Sequence, residues 1–259
     1  LVRLDSMESN IIYNEDCLET MIRFPDNSID LVLTSPPYNI IRPKGNDVYY
    51  DVYVDDKSNQ EYISWTLDIF KSYDRILKPN VPVIYNLSYG QENSEIMNLT
   101  VAEILKQTNF TLADIIVWKK GNAIPNSTSH NKLTRIVEFV YIFCRADEFM
   151  TFKTNKEVTK QNSAGQTYYA NIFNFVEAVN QDEYSGINTA TFSSELVRKL
   201  LDIYAKPDSL IYDSFMGTGT TAVGAVMNNH RFIGSEISKQ QCEYANKRLK
   251  PYLTQTKLF

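Results

Sequence analysis

Apolar positions along the chain fall into short continuous runs that alternate with stretches where they recur every three or four residues. The first pattern suits strands buried on both faces, the second the helices that cover them. Runs at 11–13, 29–33, 81–87, 112–118, 136–143, 210–212 and 232–236 predict strands, and stretches at 17–23, 60–77, 102–106, 193–204, 221–227 and 239–249 predict helices. Ile63, Leu67, Phe70 and Ile76 make one apolar face, which Lys78-Pro79 ends. Ser193-Ser194-Glu195 opens the helix carrying Leu196, Val197, Leu200, Leu201 and Ile203. Strand following helix over most of the length predicts an α/β fold, a doubly wound and mostly parallel sheet. The runs at 112–118 and 136–143 can pair antiparallel around a basic loop at 119–135. Two stretches carry no clear period. Residues 42–58 are polar and tyrosine-rich, either a lid or a surface loop, and 145–188 form either a small specificity insertion or an irregular excursion.

With 259 residues, 43% of them hydrophobic, the chain can bury the core of one large domain, assigned to 7–259 with Met7 read as the initiator. No apolar stretch approaches the roughly 20 residues of a membrane span, and the start lacks a signal-peptide pattern, so a cytoplasmic protein without a membrane partner is expected. Cys17, Cys144 and Cys242 are widely separated, which argues against a disulfide framework and a zinc site. His130 and His230 are the only histidines, and no metal is expected. The net charge of −5 does not advertise a nucleic-acid binder. Charge is uneven, however: between Val117 and Lys160 the basic residues Lys119, Lys120, Lys132, Arg135, Arg145, Lys153, Lys156 and Lys160 outnumber the acidic ones.

Two motifs carry chemistry. Thr34-Ser35-Pro36-Pro37-Tyr38 follows the apolar run at 29–33. Each proline fixes its own φ and holds the preceding residue extended, so Ser35 and Pro36 are rigid. The Ser35 hydroxyl and Pro36 carbonyl can both face one external donor, a pattern suited to an NH2 group, with Tyr38 as a stacking surface. A proline-stiffened turn with a packed tyrosine would give the same letters. The second motif, Asp213-Ser214-Phe215-Met216-Gly217-Thr218-Gly219-Thr220-Thr221, lies between a strand and a helix, where open α/β sheets bind ligands. Glu236 ends the next strand, placed for ribose hydroxyls. G-x-G-x-x-A alone also fits a dehydrogenase. Asp213, four residues before the first glycine, suits an ammonium better than a phosphate, which points to S-adenosylmethionine.

Together the motifs resemble the amino-methyltransferases of DNA. S-P-P-Y matches their (D/N/S)-P-P-(Y/F) and D-S-F-M-G-T-G-T is similar to their D-P-F-x-G-S-G-T, with Ser214 in place of proline. The catalytic motif precedes the cofactor motif, as in the permuted β group, and the likeness runs from about Ile11 to Leu249. Asn188-Thr189-Ala190-Thr191-Phe192-Ser193-Ser194-Glu195-Leu196 resembles H-P-A-x-F-P-x-E-L, with Asn188, Thr189 and Ser193 as departures. The resemblance implies a Rossmann-like methyltransferase fold with a small irregular target-recognition insertion, drawn from 119–135 and 145–188. It implies Ser35, Pro36, Pro37 and Tyr38 as catalytic, and Asp16, Cys17, Phe192, Asp213, Phe215, Gly217, Gly219, Thr220, Glu236 and Ile237 around S-adenosylmethionine.

Such a protein would methylate the exocyclic amine of a base flipped from double-stranded DNA. Serine at the first motif position is typical of N4-cytosine enzymes in that family, and adenine N6 is the alternative. A catalytically idle cofactor- or DNA-binding subunit is a further reading, and Cys17 lacks the Pro-Cys context of a cytosine-C5 nucleophile. Lys119, Lys120, His130, Lys132 and Arg135 are the candidate DNA contacts, expected on the same side as Tyr38. The resemblance brings a homodimer into consideration, by analogy with the often dimeric β group, and the chain itself leaves the oligomeric state open.

Overall fold

The computed structural model describes residues 7–39, 57–88, 93–121, 133–179 and 193–255. Strands and helices alternate as β1 (Ile11–Tyr13), α1 (Cys17–Arg23), β2 (Leu31–Thr34), α2 (Asn59–Ile76), β3 (Val83–Leu87), α3 (Ile96–Gln107), β4 (Phe110–Lys120) and β5 (Val137–Arg145). A short exposed hairpin of β6 (Lys160–Gln161) and β7 (Thr167–Tyr168) precedes β8 (Phe175–Ala178). The chain then continues through α4 (Ser194–Tyr204), β9 (Leu210–Asp213), α5 (Thr220–Met227), β10 (Arg231–Ser235) and α6 (Lys239–Gln255).

Eight strands form one sheet in the order β1-β10-β9-β2-β3-β5-β4-β8. The five from β1 to β3 are mutually parallel, β5 runs against both β3 and β4, and β8 lies parallel to β4. The expected antiparallel pair is therefore β4 and β5, embedded in a mostly parallel sheet.

Each strand sends alternate residues to opposite cores. Leu31, Leu33, Ile84, Ile142 and Ile211 pack with α4, α5 and α6 on one face. Val32, Val83, Tyr85, Phe143 and Tyr212 pack with α1, α2 and α3 on the other. On the second face Phe70 of α2 meets Tyr73, Tyr85, Phe110 and Phe143 edge-on, with ring centroids 5.2–5.5 Å apart.

The structure departs from the sequence reading in two places. Helix α3 is longer than 102–106, because Ile96, Met97, Thr100, Val101 and Ile104 are buried at helical spacing. Its start carries no capping side chain to announce it. Part of the stretch at 145–188 supplies the edge strand β8, whose inward residues are only Val176 and Ala178.

The site is set by strand order. From β2 the chain crosses through α2 to β3 on one side, and from β9 it crosses through α5 to β10 on the other. The switch point lies between β2 and β9, which pair Leu31 with Ile211 and Val32 with Tyr212. Their carboxyl ends are therefore neighbours.

The α4–α5 contact leaves no room for a side chain at Gly224, where a Cβ would lie 2.3 Å from Val197 Cγ1 and 2.9 Å from Val197 Cβ. Gly224→Ala should lower stability by about 1–3 kcal/mol, because overpacking outweighs the gain in helix propensity. Urea unfolding checks this: an unchanged or raised midpoint would contradict the packing.

Candidate active site

Two turns meet at the switch point. The first follows β2 and consists of Ser35, Pro36, Pro37 and Tyr38, with Pro36 buried and the others partly exposed. The second follows β9 and leads into α5. They are joined directly, since Thr34 Oγ1 donates to Asp213 Oδ1 at 2.6 Å. An aromatic wall joins them again: the Tyr62 hydroxyl donates to the Pro37 carbonyl at 2.7 Å, Tyr62 packs on Trp65, and Trp65 packs on Phe215 with centroids 5.3 Å apart. Lys57 Nζ sits 5.5 Å from the Trp65 ring.

Around Ser35 the register brings three strands together. Thr34 pairs with Tyr85 and Asn86 with Val140, so Ser35, Asn86 and Glu138 converge at one end of the sheet. Ser35 Oγ lies 3.0 Å from Tyr38 Oη, and the Tyr38 hydroxyl donates to Glu138 Oε2 at 3.1 Å. Asn86 Nδ2 donates to Tyr38 Oη at 2.6 Å and Glu138 Oε2 at 2.9 Å, with a longer approach of 3.3 Å to Ser35 Oγ. Glu138 Oε1 is ion-paired with Lys120 Nζ. Asn86 Oδ1 is buried with no hydrogen-bond partner. One buried acceptor of the cluster, Asn86 Oδ1, is thus left for a donor from outside it.

In the second turn Gly219 adopts φ 84°, and a Cβ there would come within 3.0 Å of Ala245 Cβ on α6, so only glycine lets the loop seat against that helix. Arg248 is buried behind the loop and donates to the Thr218 carbonyl at 3.2 Å and Thr220 Oγ1 at 3.1 Å. Glu236 Oε2 accepts the Gly217 amide at 2.7 Å, and Glu236 Oε1 accepts the Ser238 amide at 2.8 Å. The amide that a pyrophosphate would need is thus held by a carboxylate, which weighs against a dinucleotide. Two carboxylates at the loop fit a ligand with an ammonium, a sulfonium and ribose hydroxyls, as S-adenosylmethionine has.

Asp213 is 2% exposed and also accepts the Phe215 amide at 2.9 Å. Its charge would therefore act on an ammonium from within the wall of the site. Asp16 caps α1 by accepting the Leu18 amide at 2.7 Å, and Asn14 Nδ2 ties the Glu236 and Ile237 carbonyls at 2.9 and 3.0 Å, which brings 14–17 alongside the turn after β10. Cys17 is buried, and burial pushes its thiol well up, so it is no nucleophile. Among the described residues no group of His, Cys, Asp and Glu could hold a metal, and no helix is long and apolar enough to cross a membrane.

Lys119 and Lys120 end β4 at the same end of the sheet as Tyr38. Both are already ion-paired, Lys119 with Glu177 at 3.0 Å and Lys120 with Glu138. Arg135 is partly exposed and precedes Ile136, whose carbonyl accepts the Lys120 amide, while His130, Lys132 and Phe192 lie outside the described residues. Sequence reasoning missed Trp65, Asn86 and Glu138. The last two left a signal: each is a polar residue interrupting a buried strand near the end that faces the site.

The family model described as DNA methylase, for N6 and N4 methyltransferases, matches residues 29–247. The chain belongs to this family. Among its relatives, the type II methyltransferase M.BglII of Bacillus subtilis is 25% identical over 91% of this chain and 68% of its own length. M.Cfr9I of Citrobacter freundii is 23% identical over 96% of this chain and 91% of its own length. The fold of the methylase is also that of the cytosine-N4-specific PvuII DNA methyltransferase, with a TM-score of 0.72 at 21% identity over 94% of this chain and 87% of that one. M1.HpyAVI, solved as a complex with S-adenosylmethionine, superposes with a TM-score of 0.62 at 20% identity over 92% and 98% of the two chains.

Burial pushes the Asp213 carboxyl up from 3.8 to about 6, against the hydrogen bonds that hold it. The folded methylase therefore binds this proton more tightly than the unfolded chain does. The resulting stability is fully present below about pH 4 and lost as pH rises through about 6, a difference of roughly 3 kcal/mol at about 1.4 kcal/mol per pKa unit. Asp213→Asn should recover up to that amount at pH 8, flatten the pH dependence between roughly 4 and 6, and weaken S-adenosylmethionine binding. Urea unfolding at the two pH values and calorimetry with the cofactor check the two halves separately.

Proposed function

We infer that this DNA methylase transfers a methyl group from S-adenosylmethionine to the exocyclic amine of a base turned out of double-stranded DNA, and that the base is cytosine, methylated at N4. The observation that carries this reading is the polar cluster at Ser35, which directly follows the Thr34 bonded to the Asp213 carboxylate of the turn after β9. An exocyclic amine is a weak nucleophile because its lone pair is delocalised into the ring. Accepting its two N–H groups at Ser35 Oγ and the Pro36 carbonyl localises that pair, and holding it in line with the sulfonium methyl supplies much of the rate. Pro36 and Pro37 keep the turn rigid, and Tyr38 offers its ring to the flipped base.

Serine rather than aspartate or asparagine at position 35 favours cytosine. Adenine N6 remains the alternative, because both bases place a ring-nitrogen acceptor beside the amine. Mass spectrometry of nucleosides from treated DNA separates them: N4-methylcytosine is expected, N6-methyladenine would replace the base assignment, and 5-methylcytosine would end the mechanism. Ser35→Ala should lower kcat by roughly a hundredfold or more while leaving cofactor affinity in place, by analogy with losing one preorganised hydrogen bond at the reacting group. Full activity in that variant would remove Ser35 from the reaction.

DNA approaches along the Lys119 end of β4 in this reading, where the ammonium leaves Glu177 for a phosphate. Because Lys120 belongs to the Ser35 cluster, Lys119 is the cleaner probe. Lys119→Ala should weaken binding to all sequences and reduce the salt slope by about 0.9, the share of one neutralised phosphate. An unchanged slope would place the DNA elsewhere.

A further inference from the structure

The groups around Ser35 form a chain whose direction is set from one end. Glu138 Oε1 is held by the Lys120 ammonium, and Glu138 Oε2 accepts from Tyr38 at 3.1 Å and from Asn86 at 2.9 Å. An ionised carboxylate only accepts, so the single Tyr38 hydroxyl proton is committed to it. Tyr38 Oη can then meet Ser35 Oγ, 3.0 Å away, only as an acceptor, and the Ser35 proton must point at Tyr38. Asn86 reinforces this direction by donating to Tyr38 Oη at 2.6 Å. Its amide cannot turn over without setting its oxygen against Glu138 Oε2. Ser35 Oγ is left facing the site with a lone pair.

We propose that Glu138 is a positioning residue for methyl transfer, acting through Tyr38. It holds Ser35 Oγ as an acceptor towards the target amine and is the end point for the proton the amine gives up. The proposal rests on the reading of Ser35 as the partner of that amine. As the amine lone pair forms the nitrogen–carbon bond, the electrons of the broken carbon–sulfur bond stay on sulfur and the nitrogen becomes cationic. One N–H proton then passes to Ser35 Oγ, the Ser35 proton passes to Tyr38 Oη, and the Tyr38 proton passes to Glu138 Oε2. Ser35 and Tyr38 end as they began. Glu138 gains one proton beside Lys120 and releases it to water.

Glu138→Gln keeps the shape and removes the acceptor. Lys120 draws the amide oxygen, which leaves the NH2 group towards Tyr38 and reverses the chain. The test is single-turnover methyl transfer by the whole chain to long unmethylated duplex DNA, with cofactor and DNA affinities measured beside it. Glu138→Gln should lower the rate about a hundredfold, within the range of general base catalysis, while both dissociation constants stay within about twofold. Tyr38→Phe should reduce it by a similar factor, and the double variant should be no slower than either single one, because both break the same chain. An unchanged rate in Glu138→Gln, additive losses, or affinities that fall with the rate would overturn the proposal. Should Glu138→Gln fail to fold, the solvent isotope effect decides: wild type should show one on the transfer step and Tyr38→Phe should abolish it, and its retention counts against the relay. Failure of the underlying reading appears in the wild type instead, as a product methylated on carbon or no transfer at all, and removes both.

Discussion

Thr34 and Asp213 end neighbouring strands and share a hydrogen bond of 2.6 Å where water does not reach, both residues being almost fully buried. At 179 residues apart in sequence, they are the point where the turn after β2 and the turn after β9 become one site. The next residue after Thr34 is Ser35, and the next but one after Asp213 is Phe215, whose ring reaches back through Trp65 and Tyr62 to Pro37. A shift of β2 against β9 would move Ser35 and the turn after Asp213 in opposite senses. Group transfer tolerates little misplacement, so in the proposed reaction this register serves the chemistry as well as the fold.

That constraint carries a thermodynamic cost. Asp213 sits where burial pushes its carboxyl up to about 6, so at neutral pH the fold keeps a charge that opposes its own stability. The large two-faced core around it makes this tolerable. The cluster at Ser35 has the same character: Asn86 Oδ1 is buried without a partner and Glu138 is 8% exposed, compensated by Lys120. Polar groups left short of partners are expensive in a finished core and useful where a substrate completes them.

Much of the fold was legible in the chain because strands buried on both faces and amphipathic helices leave different periods. The edges were not. Helix α3 begins without a capping side chain, and β8 buries only Val176 and Ala178, too little to rise above its Asn- and Tyr-rich surroundings. Lys119 and Lys120 read as phosphate contacts from charge alone, yet each has a carboxylate partner brought in from another strand, Glu177 of β8 and Glu138 of β5.

The local chemistry of each turn is written in consecutive residues: two prolines stiffen Ser35, glycines permit the loop before α5, and Asp213 and Glu236 end their strands. Those effects act over a few bonds, so the sequence by itself determined them, along with the α/β class. Strand order and register act between distant segments and are settled by packing. They alone decided that β9 lies beside β2, that Asn86 and Glu138 close around Ser35 and Tyr38, and that Trp65 bridges the two turns. The same residues on strands paired in another order would carry the same letters and make no common site.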